Sequence, residues 1–325
     1  MPFPKIELHV HLEGTMAPAT LLELGRKNGV PLPADTIEGI ERLYRFEDFE
    51  RFVEVWLLTT QVTRKAEDFR RVVTEYAGEA ARHGCVYMEG IFSPLQPVRR
   101  GVAWEEVFEG YCDGAQEARE LHGVELRLTP DMTRGATPEE AAETVVRTLD
   151  YKERGVVGLG LGDYEAEYPA ELYTEPFRRA REGGLASVPH AGEAAGPESI
   201  RGALDALGAD RLRHGIRAVE DPGLVRELAD RGIVCDVCPI SNVRLRAVPS
   251  LDAHPLPQLL AAGVPCSIST DDPAMFATDL TQDYEAAALL GQSAEAAYTA
   301  GLQGALCNDA TRARLAAIGA AHPWG

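Results

Sequence analysis

The chain has 325 residues, 45% of them hydrophobic, and its 51 acidic against 32 basic side chains give a formal net charge of −19. Such a charge repels phosphate backbones and anionic lipid surfaces, so nucleic acids and membranes are not expected partners. We find neither a signal peptide nor a run of the roughly 20 apolar residues that a membrane span needs. The sequence therefore predicts a cytoplasmic protein with a single domain over residues 1–325.

The first predicted element is a short strand that begins at Lys5 and ends in two histidines one residue apart, His9 and His11. Side chains two apart on a strand point to the same face, so both rings can aim at one point beyond the end of the strand. Two neutral imidazoles that converge in this way suit a zinc-like divalent ion. A pair of surface histidines is the alternative that this stretch alone leaves open.

From Cys85 onward, short apolar runs alternate with amphipathic helical segments. This alternation predicts parallel βα units, and eight strands predict a closed (β/α)8 TIM barrel, with an open doubly wound sheet as the alternative. Residues 18–83 interrupt the pattern as a helical insertion after the first strand, large enough to cover the barrel mouth. Extra helices follow the last strand. The other strands are expected over 85–91, 124–128, 155–161, 185–188, 211–214, 232–237 and 264–268.

Histidine and aspartate residues collect at the predicted C-terminal ends of the strands, where a barrel carries its active site. His190 ends the fifth strand, His214 the sixth, and Asp271 and Asp272 the eighth. Scattered solvated residues would not sort in this way. The remaining histidines are predicted at helix ends or in loops, outside the site: His83, His122, His254 and His322.

Five motifs stand at these strand ends, in chain order. They are His9-Val-His11-Leu-Glu13-Gly14, His190-Ala-Gly-Glu193, His214-Gly215, Cys238-Pro-Ile-Ser-Asn242 and Ser269-Thr-Asp271-Asp272-Pro273. Together they make the sequence resemble the adenosine deaminase family of the amidohydrolase superfamily, and within that family it most resembles the aminodeoxyfutalosine deaminases. The resemblance implies zinc-dependent hydrolytic deamination of an adenine ring, with one zinc ion held by His9, His11, His190 and Asp271.

The resemblance also implies roles for residues around the metal, Asp271 serving as a catalytic group as well as a ligand. Glu193 matches the acid that protonates N1 of the ring, which needs a raised carboxyl pKa in a dry pocket. His214 matches the group that orients the attacking water, and Asp272 the group that hydrogen-bonds N7. The backbone of Gly162, after the fourth strand, matches the one that contacts N3.

Position 13 bears on which adenine-bearing nucleoside is the substrate. Adenosine deaminases usually carry Asp where this chain has Glu13, and use it to hold the ribose 5′-hydroxyl. With Glu at this position the chain resembles adenine deaminases and the deaminases of 6-amino-6-deoxyfutalosine. In the latter substrate a chain ending in a benzoate replaces the 5′-hydroxyl. Phe92-Ser93-Pro94 resembles the nucleoside-acting members. We therefore expect aminodeoxyfutalosine, a substrate of menaquinone synthesis, with adenosine second and adenine third.

A benzoate needs a cation at the barrel mouth. Arg134, after the third strand, is the candidate because a guanidinium binds a carboxylate in bidentate geometry, and Arg99 and Arg100 are its rivals. The segment Phe46–Thr60 has apolar residues at helical spacing, most of which are expected in the core. In the family this region caps the purine pocket, so one or two of its side chains are expected to touch substrate.

Two functions other than adenine deamination are alternatives. Within the superfamily, a zinc amidohydrolase that opens an amide or a phosphoester is the alternative, but many such relatives bridge two metals with a Lys after the fourth strand, and none follows Leu161. A barrel that only binds is disfavoured because every ligand and acid position is intact. Zinc deaminases of the cytidine type are excluded because they need a P-C-x-x-C motif, whereas in Cys235-Asp-Val-Cys238 the Pro follows the second cysteine instead of preceding the first.

Overall fold

The computed structural model describes residues 2–46 and 49–324, with the backbone alone described at 49 and 50. Within these residues, strands follow one another in chain order, each parallel to its neighbour. Two short segments, β5 and β6, together make the fifth barrel strand. The strands are β1 (Lys5–His11), β2 (Cys85–Phe92), β3 (Glu125–Thr133), β4 (Gly158–Gly162), β5 (Ala186–Ser187), β6 (His190–Ala191), β7 (Arg211–His214), β8 (Val234–Val237) and β9 (Cys266–Ile268).

The barrel closes between its first and last strands. The backbone N–H of His11 donates to the carbonyl of Asp271 at 2.7 Å, and the N–H of Asp271 donates to the carbonyl of His9 at 3.1 Å. The fifth strand is interrupted at Pro189, but the N–H of Arg213 still donates to the carbonyl of Pro189 at 3.0 Å. These bonds confirm the closed TIM barrel and exclude the open sheet.

The third strand is longer than predicted. It continues past Leu128 to Thr133 and pairs Pro130 with Phe92 of β2. A proline favours a turn in sequence, but its fixed φ also fits an extended chain. As a result Asp131 is a strand residue buried in the barrel interior, at 1% exposure.

Helices alternate with the strands around the outside, as expected. Short helices directly after β2, β8 and β9 were not predicted. The helices are α1 (Pro18–Lys27), α2 (Ile37–Leu43), α3 (Phe49–Val62), α4 (Ala66–Arg82), α5 (Leu95–Val98), α6 (Trp104–His122), α7 (Pro138–Asp150), α8 (Thr174–Glu182), α9 (Pro197–Asp205), α10 (Pro222–Arg231), α11 (Pro239–Arg244), α12 (Leu256–Ala261), α13 (Pro273–Phe276), α14 (Leu280–Leu289), α15 (Ala294–Gly304) and α16 (Asp309–Ala321).

Over the residues that are described there, the insertion after β1 consists of the helices α1 to α4 joined by loops, and α3 packs over the C-terminal end of the barrel. The aromatic rings of Phe46 and Phe52 lie 5.2 Å apart, and Phe52 stacks on Phe276 of α13 at 5.3 Å. This apolar cluster, separate from the main core, holds α3 above the barrel mouth. The side chain of Phe49 lies outside the described residues.

The extra C-terminal helices pack against the other end of the barrel. Tyr298 of α15 and Leu315 of α16 form an apolar cluster with Ile6 and Leu8 of β1. Gly301 allows the close approach, since a Cβ at that position would lie 2.9 Å from the side chain of Ile6. Among the described residues, no helix combines the length and apolar character that crossing a bilayer requires.

Candidate metal centre and active site

Four side chains from β1, β6 and the end of β9 converge in the mouth of the barrel. The alternation of β1 turns His9 and His11 inward. The Nε2 atom of His190 lies 3.1 Å from Nε2 of His9 and 3.1 Å from Nε2 of His11. Oδ1 of Asp271 lies 3.4 Å and 3.3 Å from the same two nitrogens.

This arrangement fits a zinc ion. Zinc takes nitrogen and oxygen ligands at about 2.0–2.1 Å in tetrahedral geometry, which separates the ligand atoms by about 3.3 Å. The observed separations of 3.1 to 3.4 Å match that spacing. Without a cation, three imidazoles and a carboxylate packed this closely would leave their lone pairs facing one another. The predicted ligands are therefore brought together in a group able to hold a metal.

The histidine rings are held neutral and oriented. Burial lowers the pKa of His11 to about 3 and lowers the pKa values of His9 and His190 well below their usual range. The Nδ1–H of His190 donates to the carbonyl of Leu161 at 3.0 Å, which turns its Nε2 lone pair to the centre. Partners of this kind fix the tautomer of a metal-binding histidine.

Asp271 is oriented by a neighbouring hydroxyl. Oγ of Ser241 donates to Oδ2 of Asp271 at 2.6 Å, so Oδ1 is the oxygen that faces His9 and His11. Asp271 has a φ of 68°, and two more non-glycine residues with positive φ, Asp163 (76°) and His214 (63°), stand at the ends of other strands. Strained backbone of this kind clusters at functional sites.

Glu193 lies beside the ligands and faces His214. Its Oε2 is 3.3 Å from Nε2 of His214, and its Oε1 accepts a hydrogen bond from Nδ2 of Asn242 at 3.4 Å. Burial, and then the carboxylate of Asp271, raise the pKa of Glu193 well above its usual range. A raised pKa favours the protonated carboxyl, which is the form that a general acid needs.

A cavity of about 260 Å³ opens directly above these groups. A water in the liquid occupies about 30 Å³, so the space holds a small organic molecule. One wall is apolar and comes from the inserted helix α3 and from Leu245; the other is polar and includes Glu193, His214 and Asp272. From α3, the side chains of Phe52, Val53 and Trp56 line the cavity.

Asp272 and Gly162, the residues expected to contact N7 and N3 of the ring, both line this cavity. Oδ1 of Asp272 is buried with no hydrogen-bond partner among the described residues. Gly14 makes room for it, because a Cβ there would lie 1.8 Å from that oxygen. A Cβ on Gly162 would lie 2.5 Å from Oδ2 of Asp131, so only glycine leaves the backbone open to a ligand at that point.

Glu13 and Arg134, the residues expected to contact the 5′ side of the substrate, do not line the cavity. Glu13 is 5% exposed and bonded to the backbone of Ser93, and Ser93 is the residue of the pair that lines the cavity. Arg134 is 3% exposed, and its terminal nitrogens donate to the carbonyls of Tyr168 and His190.

Arg134 therefore serves as a buried bridge between two segments of the chain, and it is absent from the cavity wall. The third strand was predicted to end at Leu128, which put Arg134 in the loop that follows it, but β3 continues to Thr133 and Arg134 is buried. The two alternative candidates for binding a substrate carboxylate, Arg99 and Arg100, also have hydrogen-bond partners within the protein. Arg99 forms a bidentate pair with Glu140, and Arg100 donates to the carbonyl and hydroxyl of Thr60.

Two site residues were missed in the sequence. His254, expected outside the site, is 3% exposed, and its Nε2 lies 3.2 Å from Oδ1 of Asn242. Nδ2 of Asn242 in turn lies 3.1 Å from Nδ1 of His214. The Cys238-Pro-Ile-Ser-Asn242 motif marked the asparagine, but nothing local marked His254 as its partner.

Glu165 was also missed. Its carboxylate accepts backbone N–H bonds from Gly192 at 2.5 Å, Glu193 at 3.2 Å, Ala194 at 2.7 Å and Ala195 at 3.0 Å. It thereby clamps the loop after β6, which carries Glu193, to the loop after β4. In sequence, Glu165 resembles any solvated loop carboxylate.

Comparison with known proteins agrees with this geometry. The chain matches the adenosine deaminase family over residues 4–317. It is 51% identical to an aminodeoxyfutalosine deaminase from Acidothermus cellulolyticus, over 99% of this chain and 92% of that protein. It is 40% identical to an adenine deaminase from Streptomyces coelicolor, over 85% of this chain and 81% of that protein.

Two solved structures share the fold along almost the whole chain. An adenine deaminase from Arthrobacter aurescens superposes with a TM-score of 0.93 at 31% identity, covering 98% of each chain. An amidohydrolase from Burkholderia ambifaria, solved with bound Zn, superposes with a TM-score of 0.89 at 27% identity, covering 98% of this chain and 90% of that one.

The closed barrel and its cluster of imidazoles and carboxylates define a member of the amidohydrolase superfamily, whose deaminases depend on a metal. Within that superfamily, the chain belongs to the adenosine deaminase family. It is a hydrolase that acts on carbon–nitrogen bonds.

Proposed function

We propose that the protein hydrolyses the 6-amino group of an adenine-bearing small molecule, and that this substrate is 6-amino-6-deoxyfutalosine of menaquinone synthesis. A water adds its oxygen at C6, and the amino group leaves as ammonia. The observation that carries the choice of substrate is the 51% identity to an aminodeoxyfutalosine deaminase, which extends over 99% of the chain. The adenine deaminase relatives support the same reaction at an adenine ring.

One zinc ion per chain would be held by His9, His11, His190 and Asp271. The spacing of their four ligand atoms and the burial that keeps the imidazoles neutral support this assignment. When bound, zinc would supply Lewis-acid activation of the attacking water at neutral pH.

The remaining polar groups would act on the ring and on the water. Glu193, protonated in its buried position, would donate its proton to N1, so that C6 accepts the nucleophile more readily. His214, 3.3 Å from Glu193, would orient the attacking water through Nε2. Asp272 would hydrogen-bond N7, and the backbone of Gly162 would contact N3. Both residues line the cavity that would hold the purine.

The apolar wall would cover the purine and exclude bulk water. Phe52, Val53 and Trp56 of α3 line the same cavity as Glu193. A dry site keeps the carboxyl of Glu193 protonated and strengthens every polar contact to the ring. Helix α3 would therefore affect the deamination step as well as substrate binding.

At the 5′ side, Glu13 and Ser93 support a nucleoside with a larger 5′ group. Ser93, which lines the cavity, leaves room and adds no charge beside the carboxylate of Glu13. The placement of Arg134 does not support a contact with a substrate carboxylate. Adenosine is the second candidate substrate because Ser93 resembles the nucleoside-acting members of the family, and adenine is the third.

One assay separates these candidates. Zinc-loaded protein is incubated with aminodeoxyfutalosine, adenosine or adenine, and ammonia release is followed together with loss of the adenine absorbance band. We expect aminodeoxyfutalosine to have the highest kcat/KM, by at least tenfold. A preference for adenosine or adenine would overturn the choice of substrate, and no turnover of any of the three would overturn the proposed reaction. Glu193→Gln protein serves as the inactive control.

A further inference from the structure

A chain of hydrogen bonds behind His214 begins at a backbone amide. The N–H of Leu256 donates to Nδ1 of His254 at 3.0 Å. A backbone N–H can only donate, so Nδ1 of His254 must accept and carries no proton. The single proton of this neutral ring is therefore on Nε2. Burial of His254, which lowers its pKa to about 4, is consistent with a neutral ring at physiological pH.

The next bond fixes the amide of Asn242. Nε2–H of His254 lies 3.2 Å from a terminal atom of the Asn242 side chain. That atom must accept the hydrogen bond, so it is the amide oxygen Oδ1. The NH2 group of Asn242 then faces the other way, toward Nδ1 of His214 at 3.1 Å and Oε1 of Glu193 at 3.4 Å. Asn242 is fully buried, so no bulk water competes for either end of the amide.

The last bond decides the proton of His214. Because Nδ2 of Asn242 donates to it, Nδ1 of His214 is an acceptor, and the ring carries its proton on Nε2. That proton points to Oε2 of Glu193 at 3.3 Å and to Oδ2 of Asp271 at 3.9 Å. In the opposite tautomer Nε2 would carry only a lone pair, and the ring would have no N–H to offer the cavity.

We propose that His254 and Asn242 are positioning residues that hold His214 in its Nε2–H tautomer, with its N–H directed into the cavity. The backbone N–H of Leu256 sets the direction of each hydrogen bond in the chain, and two buried side chains, His254 and Asn242, connect it to His214. The consequence of the tautomer for turnover rests on the role proposed above for His214, whereas the tautomer itself does not. Removing the donor at position 254 frees the amide of Asn242 to turn over and present Oδ1 to His214, which selects the inactive tautomer.

Protein labelled with 15N in its histidine rings, loaded with zinc, tests this proposal. Two-dimensional NMR that correlates ring nitrogens with carbon-bound ring protons distinguishes the two neutral tautomers, and the His214→Gln spectrum assigns the His214 signals. We expect an Nε2–H pattern for His214 in the natural protein. In Asn242→Asp the carboxylate at position 242 can only accept from His214, so we expect the pattern to change to Nδ1–H. His214 in the Nδ1–H form in the natural protein would overturn the proposal, as would an unchanged pattern in the variant.

Kinetics supply the second readout. His254→Leu removes the donor, and we expect kcat to fall at least tenfold with KM and zinc content nearly unchanged. His254→Gln restores an N–H donor toward Asn242, and we expect it to recover most of the lost kcat. His83→Leu, which removes a histidine bonded to Thr281 at 2.9 Å beside the opposite end of the barrel, is the matched control and should keep full activity. Equal losses in the Leu and Gln variants, with the tautomer unchanged, would make His254 purely structural. If no substrate is turned over, the NMR result still decides the tautomer.

Discussion

The carboxylate of Glu13 is bonded to the main chain of Ser93, whose N–H donates to Oε1 at 2.7 Å. The bond joins the end of β1 to the end of β2, across 80 positions of sequence. Ser93 faces the cavity while Glu13 lies behind it, so the acidic residue shapes the wall through its neighbour. The length of the side chain at position 13 therefore governs how far this part of the wall stands from a ligand.

Shortening Glu13 by one methylene should change substrate preference. In Glu13→Asp the carboxylate no longer reaches the N–H of Ser93 with the same geometry, and the wall moves. We expect the ratio of kcat/KM for adenosine to that for aminodeoxyfutalosine to rise about tenfold, the range that one methylene gives in a pocket. The exposed Glu198 provides the control substitution, Glu198→Asp. An unchanged ratio in Glu13→Asp would remove this position from specificity.

Replacing Glu193 by glutamine should separate metal binding from turnover. Glutamine keeps the size of the side chain but cannot donate a proton to the ring. We expect kcat to fall by about 10²- to 10⁴-fold, the usual contribution of a general acid, with zinc content unchanged. Metal analysis and steady-state kinetics on the same preparation measure both. Glu198→Gln, five residues further along the chain, is the control. Retention of more than half of the activity in Glu193→Gln would show that another group supplies the proton.

Removing the metal should lower thermal stability. Three imidazoles and a carboxylate, with neighbouring ligand atoms 3.1–3.4 Å apart, lose their common partner when a chelator takes zinc away. A ligand present at 1,000 times its Kd stabilises the folded state by about 4 kcal/mol. We therefore expect chelation to lower Tm by several degrees and zinc to restore it. His9→Ala should melt at the same temperature with and without chelator, and the same result for the natural protein would contradict the metal site.

Arg134 should prove to be important for stability and neutral for specificity. Its guanidinium holds the carbonyls of Tyr168 and His190, so Arg134→Ala leaves two buried acceptors without a donor. Unsatisfied buried groups cost about 1–3 kcal/mol each. We expect a lower Tm and losses of kcat/KM that are equal for adenosine and aminodeoxyfutalosine. A loss confined to aminodeoxyfutalosine would instead restore the arginine as the partner of the benzoate.

Stability should fall with rising pH through the buried carboxyl group of Asp283, on α14. It accepts hydrogen bonds from the N–H of Ile240 at 3.1 Å and the hydroxyl of Thr278 at 2.9 Å, and burial raises its pKa to about 8. In the unfolded chain the pKa is about 4. The folded state thus retains a proton that the unfolded state releases, and its stabilising effect is full below pH 4 and is lost as the pH rises to 8.

The Asp283→Asn variant tests this linkage because asparagine stays neutral. Relative to the natural protein, its free energy of unfolding should increase between pH 5.5 and pH 8.5, by at least about 1 kcal/mol. Urea titrations at both pH values measure the difference. Glu285→Gln removes an exposed carboxylate from the same helix and should show no such trend. A difference for Asp283→Asn that stays constant with pH would mean that the group is already ionised in the folded protein.

The convergence of the four candidate metal ligands could be predicted from the sequence because it follows from local rules. Period-two alternation places His9 and His11 on one face, and the barrel rule places the ends of the fifth and eighth strands beside them. Three short motifs, which contain the four candidate ligands, therefore define the centre without any knowledge of packing. The helical insertion and the C-terminal helices followed in the same way from hydrophobic periodicity.

The supporting contacts could not be predicted because they depend on distances between segments that the sequence keeps apart. Arg134 was expected in a loop at the barrel mouth because the third strand was predicted to end at Leu128, whereas the strand continues through Pro130 to Thr133. His254 reads as a loop histidine until the fold places it beside Asn242. In both cases the side chain forms its bonds with a part of the chain that no local pattern identifies.

The carboxylate of Glu165 accepts four consecutive backbone amides of the loop that bears Glu193. The same short segment, residues 163–167, also supplies part of the cavity wall. Selection for a new substrate that remodels this wall therefore acts on the proton donor at the same time. Loop exchange between relatives would preserve turnover only when the segments after β4 and β6 are transferred together. The two loops are therefore expected to evolve, and to be redesigned, as a pair.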